Sequence, residues 1–289
     1  MNFLDVKTDY AFKKVFGSEN SKEILMSFLN AIVYENAPHK IKDLTIVDPY
    51  NIPMIKGVKD TFVDVKAILD DDSKVIIEMQ VLNHKGFEKR VLYNAAKNYS
   101  IQLNKKEEYH LLNPVIALSI VDFIMFPESS NIINNFKLIE KEELIHYSDD
   151  IELIFVELPK FTKEINGLEN IKDQWIYFVQ NAGSLEYIPN NFDETIKQAL
   201  ENANEANLTK DELEAQYKRK EYISIHKLSL LKATEDGMEK GMEKGREEGM
   251  EKKSIEIARN AIAQGLENET IGLITGLSIP IIESLRTKL

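Results

Sequence analysis

Phe62-Val63-Asp64-Val65-Lys66-Ala67-Ile68-Leu69-Asp70-Asp71-Asp72-Ser73-Lys74-Val75-Ile76-Ile77-Glu78-Met79-Gln80-Val81-Leu82 decides how the chain is read. Two runs within it alternate with period two. Val63, Val65, Ala67 and Leu69 form one apolar face, and Val75, Ile77, Met79 and Val81 form another. That is the pattern of half-buried strands. Asp70-Asp71-Asp72-Ser73 between them is turn chemistry, so the stretch predicts a β-hairpin. A turn centred near Asp71 sets Asp64 opposite Glu78 on one side of the sheet, and Gln80 follows on the same side.

Like charges placed opposite one another destabilise a sheet. The same face carries Phe62, Ile68, Ile76 and Leu82, so it is at least half buried. Two carboxylates in such a place share a proton, take cations or bind a metal. Mg2+ suits a site with few carboxylates and several waters, and the backbone carbonyl of Met79 is placed to add a ligand. The spacing equally admits a solvent-facing hairpin in which Asp64 pairs with Lys66 or Lys59. On residue pattern alone both readings stay open.

Upstream, Thr8-Asp9 precede an amphipathic helical run through Phe12, Val15, Phe16, Ile24, Leu25, Phe28, Leu29 and Ile32. Ile41 to Tyr50 reads as a strand ended by Asp48-Pro49. Downstream, Gly86 to about Lys105 is helical, with Tyr93 and Tyr99 read as core rather than as stacking platforms for bases. Val115–Phe126 reads as a strand buried on both faces. Phe136–Glu140, Leu144–Tyr147 and Ile151–Leu158 read as three further strands, and Leu168 to Asp236 as helices broken near Gly183 and Pro189. The order αβββαβ, then strands, then helices, predicts an α/β fold with a mixed sheet. Three regions are expected: a core over residues 1–165, a helical extension over 166–236 and a C-terminal segment over 237–289.

Composition narrows the chemistry. The 289 residues include no cysteine, which excludes a disulfide scaffold, thiolate catalysis and cysteine-bound zinc. The five histidines are scattered without ligand spacing, and no glycine-rich phosphate loop is present. The net charge is −12, and all of it falls after residue 110. An acidic chain does not coat nucleic acid, although a local basic rim around acidic ligands in the neutral first part remains open. The apolar run Val115–Phe126 is too short to span a bilayer and no signal peptide is evident, so a cytoplasmic protein is expected.

Near the C-terminus Gly237–Lys253 repeats GMEK with period four. Four glycines inside a helix cost ~3–4 kcal/mol relative to alanine. The segment is therefore either a helix stabilised by close packing or a flexible charged linker. Glu269–Leu285 has the pattern of a helix-turn-helix around Thr275-Gly276-Leu277. Residues 254–289 carry a net charge of −1, which favours packing or homo-oligomerisation (a dimer through this helical region) over DNA reading.

Val63-Asp64 followed by Ile77-Glu78-Met79-Gln80 resembles the core of the PD-(D/E)XK nucleases. The E-x-Q variant is similar to the recombination-promoting nucleases, also described as PD-(D/E)XK family transposases. Thr8-Asp9-Tyr10-Ala11-Phe12-Lys13-Lys14-Val15-Phe16-Gly17, Glu157-Leu158-Pro159-Lys160-Phe161, Trp175-Ile176-Tyr177-Phe178 and the GMEK repeat resemble that family's other landmarks. The resemblance implies a restriction-endonuclease-like αβββαβ core and Mg2+-dependent DNA cleavage of low sequence specificity, with Mn2+ as a substitute. Asp64 and Glu78 are then the metal ligands, and Gln80 stands where the wider superfamily has lysine. A neutral amide orients water or a phosphate oxygen but cannot supply charge, so slow or conditional cleavage is expected. Val63 replaces the superfamily's proline. Asp9 is either a third catalytic acid or the cap of the first helix. Lys13 reaches a DNA phosphate or pairs with Asp9. Arg90 matches a basic position suited to backbone phosphate. The alternative is a weak or inactive member that serves as a DNA-binding or oligomeric module.

Overall fold

The computed structural model describes residues 1–51, 61–104 and 106–288, which fall into two compact units, Met1–Ser224 and Ile225–Leu289. The first contains helices α1 (Asp9–Phe16) and α2 (Lys22–Ile32) and strands β1 (Leu44–Val47), β2 (Tyr50–Asn51), β3 (Thr61–Phe62), β4 (Val65–Leu69) and β5 (Lys74–Gln80). Helix α3 (Phe87–Ser100), strands β6 (Val115–Val121), β7 (Ile133–Ile139) and β8 (His146–Glu157), and helices α4 (Ile171–Asn181) and α5 (Glu194–Asn202) follow. Helix α6 (Lys210–Ala263) begins in the first unit, and the second also holds α7 (Asn268–Thr275) and α8 (Ile279–Arg286).

Six strands form one mixed sheet in the order β1-β4-β5-β6-β8-β7. β5, β6 and β8 run parallel, and the outer pairs are antiparallel. The alternation of the hairpin explains its two faces. Val65, Ala67, Leu69, Val75, Ile77 and Met79 join the larger core with α1, α2, α4 and α5, whereas Ile76 joins a second core with Phe87, Val91 and Ala95 of α3. β6 is buried along its whole length because helices cover both faces, which accounts for its uninterrupted apolar sequence. Phe12, Phe16, Phe28, Trp175 and Phe178 pack against one another, tilted or edge-to-face, at the centre of the larger core.

The hairpin register is the one predicted, with Val65 opposite Ile77 and Ala67 opposite Val75. The turn closes through Leu69 N–H to the Ser73 carbonyl (2.9 Å), with Asp72 in the left-handed region at φ 64°. Several expectations are corrected. The first hairpin strand is not continuous from Phe62; it breaks at Val63-Asp64, and Val63 turns into the α3-side core. The strand expected over 41–50 divides into β1 and the start of β2, and only the first part of Val115–Phe126 is strand. The two strands expected over Leu144–Tyr147 and Ile151–Leu158 are parts of one long strand, β8, which starts at His146 and ends at Glu157; its inner half pairs with buried β6, and β7 follows it along its other edge. Tyr93 is 40% exposed rather than core, whereas Tyr99 packs on the α3-side core. The helix expected to about Lys105 ends at Ser100.

Two features fix the ends of the first unit's strands and helices. Glu157, fully buried at the end of β8, accepts from the Met125 and Phe126 N–H groups (2.7 and 3.1 Å), from Asn134 Nδ2 (2.8 Å) and from Lys160 Nζ (2.7 Å). Gly183, after α4, lies against the Asp5 backbone so closely that an added Cβ would sit 2.8 Å from the Asp5 Cα. Backbone cannot yield as a side chain does. Gly183→Ala is expected to cost ~1–3 kcal/mol of stability, readable as a lower urea midpoint with an unchanged slope.

In the second unit the glycine repeat is helical, within α6, and not a linker. Among the described residues nothing lies within 4 Å of a Cβ built on Gly237, Gly241, Gly245 or Gly249, so close packing within the chain does not offset their cost. The end of α6 packs with α7 and α8 around Ala258, Ala261, Ile262, Ile271 and Ile282, and Gly276 (φ 71°) makes the expected turn between the last two helices.

Candidate active site

Asp64 sits at the break between β3 and β4, and that position follows from its hydrogen bonds. Its own N–H donates to the Ile77 carbonyl (3.0 Å), while its Oδ2 accepts the Met79 N–H (2.8 Å). The carboxylate thus takes the place of a ladder carbonyl where β4 has left β5. Met79's carbonyl points to the same strand edge as its N–H, since a strand residue presents both groups to one neighbour. Asp64 Oδ1 lies 3.5 Å from Lys13 Nζ on α1.

Glu78, on β5, is held from α3. Asn94 Nδ2 donates to Oε1 (2.6 Å) and Arg90 Nη2 lies 3.4 Å from Oε2. The same Arg90 nitrogen donates to Gln80 Oε1 (2.6 Å), and Gln80 Nε2 donates to the Leu82 carbonyl (2.6 Å). Both ends of the Gln80 amide are therefore engaged. Arg90 and Asn94 are one helical turn apart, so one face of α3 meets one side of β5.

Asp9, Phe62, Asp64, Glu78, Met79, Gln80, Arg90, Arg219 and Tyr222 line one cleft of about 310 Å³. Burial pushes the Asp64 carboxyl above the usual range, against the pull of the Met79 N–H and Lys13, and Asp9 adds to the rise. Burial likewise raises Glu78, against Arg90, with Asp64 adding to the rise. Each acid thus resists ionisation partly because other acids are near.

Asp9 is not the helix cap. Thr8 caps α1 by accepting the Ala11 N–H (3.4 Å). Asp9 pairs instead with Arg219 Nη2 of α6 (2.9 Å), and Lys13 pairs with Asp64 rather than with Asp9. Of the lysines expected beside Asp64 in a solvent-facing hairpin, Lys59 lies outside the described residues. Among the described residues no group of three or more His, Asp or Glu side chains is close enough to hold a metal ion. What the cleft offers a hard cation is two carboxylates and one strand carbonyl, all oxygen, with Asp9 set apart on Arg219; this donor set fits Mg2+ completed by water.

Arg219 and Asn94 escaped the reading of the sequence. Arg219 lies in Tyr217-Lys218-Arg219-Lys220-Glu221-Tyr222, where basic and aromatic residues interleave. Asn94 is a polar residue between Val91 and Ala95 on a buried face, 1% exposed, and its placement against a buried acid is its signal. Tyr10 to Glu212 (2.7 Å), Thr8 to Gln216 (3.2 Å) and Arg219 to Asp9 secure α6 to α1 beside the cleft.

The mixed sheet brings a partly buried acid at the break before β4 and a buried acid on the adjacent β5 to one cleft, within an α/β architecture of the nuclease-like class. The chain belongs to the PD-(D/E)XK nuclease family transposases, whose family model matches residues 6–233. No curated protein and no solved structure matches it. No helix among the described residues is long and apolar enough to cross a membrane.

Proposed function

We propose that this protein is a Mg2+-dependent DNA endonuclease, transposase-like and of low sequence specificity. The observation that carries the reading is the convergence of partly buried Asp64 and buried Glu78 on one cleft that Arg90 and Arg219 border. Asp64, Glu78 and the Met79 carbonyl are the proposed metal ligands. A bound divalent ion supplies an acidified water and neutralises charge on the phosphoryl oxygens. Arg90 binds a backbone phosphate and holds Glu78 in place, and Lys13 takes a phosphate while shielding Asp64. Gln80, tied to Arg90 and Leu82, orients Arg90 and adds no charge, which supports slow or conditional cleavage. Asp9 acts through Arg219.

Supercoiled plasmid with Mg2+ or Mn2+ tests this. Nicking that EDTA abolishes is expected, and Arg90→Gln should slow it by about tenfold to a hundredfold, since hydrogen bonds to charged groups contribute ~1.5–3 kcal/mol. Nicking unaffected by EDTA would refute the metal site. In this reading residues 1–165 are the nuclease core, 166–236 its helical extension and 237–289 a homo-oligomerising arm, whose exposed Met238, Met242 and Met250 favour a partner.

A further inference from the structure

Resting on the nuclease reading, we infer that the substrate is a DNA strand unpaired at the cut, its bases stacking on Phe62 and Tyr222 in the cleft that holds the acids. Phe62 is 65% exposed although it stacks on Tyr50 with ring centroids 4.5 Å apart. Tyr222, from α6, is 47% exposed, and the Arg219 guanidinium lies 5.5 Å from its ring centroid. Both rings line the cleft that holds Asp64 and Glu78. Lining one cleft with two acids and two arginines, they form the arrangement that grips single strands: cations for the backbone and flat platforms for bases. A duplex keeps its base faces inside its own stack and offers none to such platforms. Arg219 is a second backbone contact beside Arg90: a phosphate replaces Asp9 as its partner.

The test is fluorescence anisotropy of a labelled 20-nucleotide strand, the same sequence as duplex, and the same sequence as RNA, on the full chain in EDTA. Tighter binding of the DNA strand than of duplex or RNA is expected. Phe62→Ala and Tyr222→Ala should each weaken strand binding by about 5- to 150-fold, the range for loss of one base–aromatic stack, and leave duplex binding unchanged. Tyr222→Trp should restore it. Arg219→Gln should weaken both and lower the salt slope by about 0.7–0.9. These side chains are on the surface, and far-UV circular dichroism checks that each variant is folded. Duplex bound as tightly as strand, RNA bound tighter, or indifference to Phe62→Ala and Tyr222→Ala overturns the inference. If the wild type still nicks plasmid, only the stacking assignment has failed; if it neither cuts nor binds DNA, the nuclease reading has failed with it.

Discussion

Asp64→Asn and Glu78→Gln are each expected to lower Mg2+-dependent cleavage by about a thousandfold, roughly 4 kcal/mol of barrier, while making the metal-free protein more stable at neutral pH. The opposite signs come from one cause. Both carboxyls are raised above their ordinary range chiefly by burial, with Asp9 adding to the rise of Asp64 and Asp64 to that of Glu78. A carboxyl raised on folding contributes stability below its unfolded pKa, and that contribution is lost as pH rises through its folded pKa. At neutral pH both acids therefore carry a cost that an amide does not bear. Each amide keeps an oxygen for the hydrogen bond from Met79 or Asn94. A melting midpoint higher by ~2–4 °C, the shift that about 1 kcal/mol produces in a domain of this size, is expected in EDTA. The gain over wild type should shrink as the buffer is taken down through the carboxyl range, because the protonated acid and the amide become alike. Adding Mg2+ should stabilise the wild type and not the variants. A variant that both cuts normally and melts lower would remove the site assignment.

The second large effect concerns the far end of β8. Lys160→Met is expected to cost ~3–5 kcal/mol, the usual result of leaving one partner of a buried ion pair, and to lower the midpoint by ~6–20 °C. Glu157 is fully buried, and Lys160 donates both to it (2.7 Å) and to the Phe126 carbonyl (2.9 Å). Removing the ammonium strands a carboxylate against three remaining N–H donors. The double variant Glu157→Gln with Lys160→Met should lose less than the two single losses together, because the orphaned charge goes too. Strict additivity in urea melts would show the pair to be uncoupled. Cleavage at temperatures well below the midpoint should be little changed, which separates this acid from Asp64 and Glu78.

Much of the fold was legible because local pattern and global structure agree. Period-two alternation and an aspartate-rich turn are enough to set the hairpin register, and β6 reads as a doubly covered strand from its unbroken apolar run. What escaped depends on partners distant in sequence. Nothing near Asp9 announces Arg219, which meets it across |i−j| of 210. The break at Val63-Asp64 is invisible to a pattern that keeps alternating through it, since it is made by one side-chain hydrogen bond to Met79. Tyr93 looked like core because a 3.6-residue period leaves flanking positions ambiguous on a helix covered from one side. The glycine repeat is helical despite low propensity, and glutamate, lysine and methionine between the glycines favour helix.

The hydrogen bond from Met79 to Asp64 gives residue 64 two separate duties. Besides facing the cleft, its side chain plugs an open sheet edge, a task that asparagine could also fulfil but alanine could not. A descendant of this fold that had abandoned cutting would still be under pressure to retain an oxygen at 64, whereas at 78 a glutamine would keep the oxygen that Asn94 needs and shed the buried charge. Position 78 is thus the better diagnostic of a living enzyme among sequences of this type, and an aspartate at 64 by itself is weak testimony.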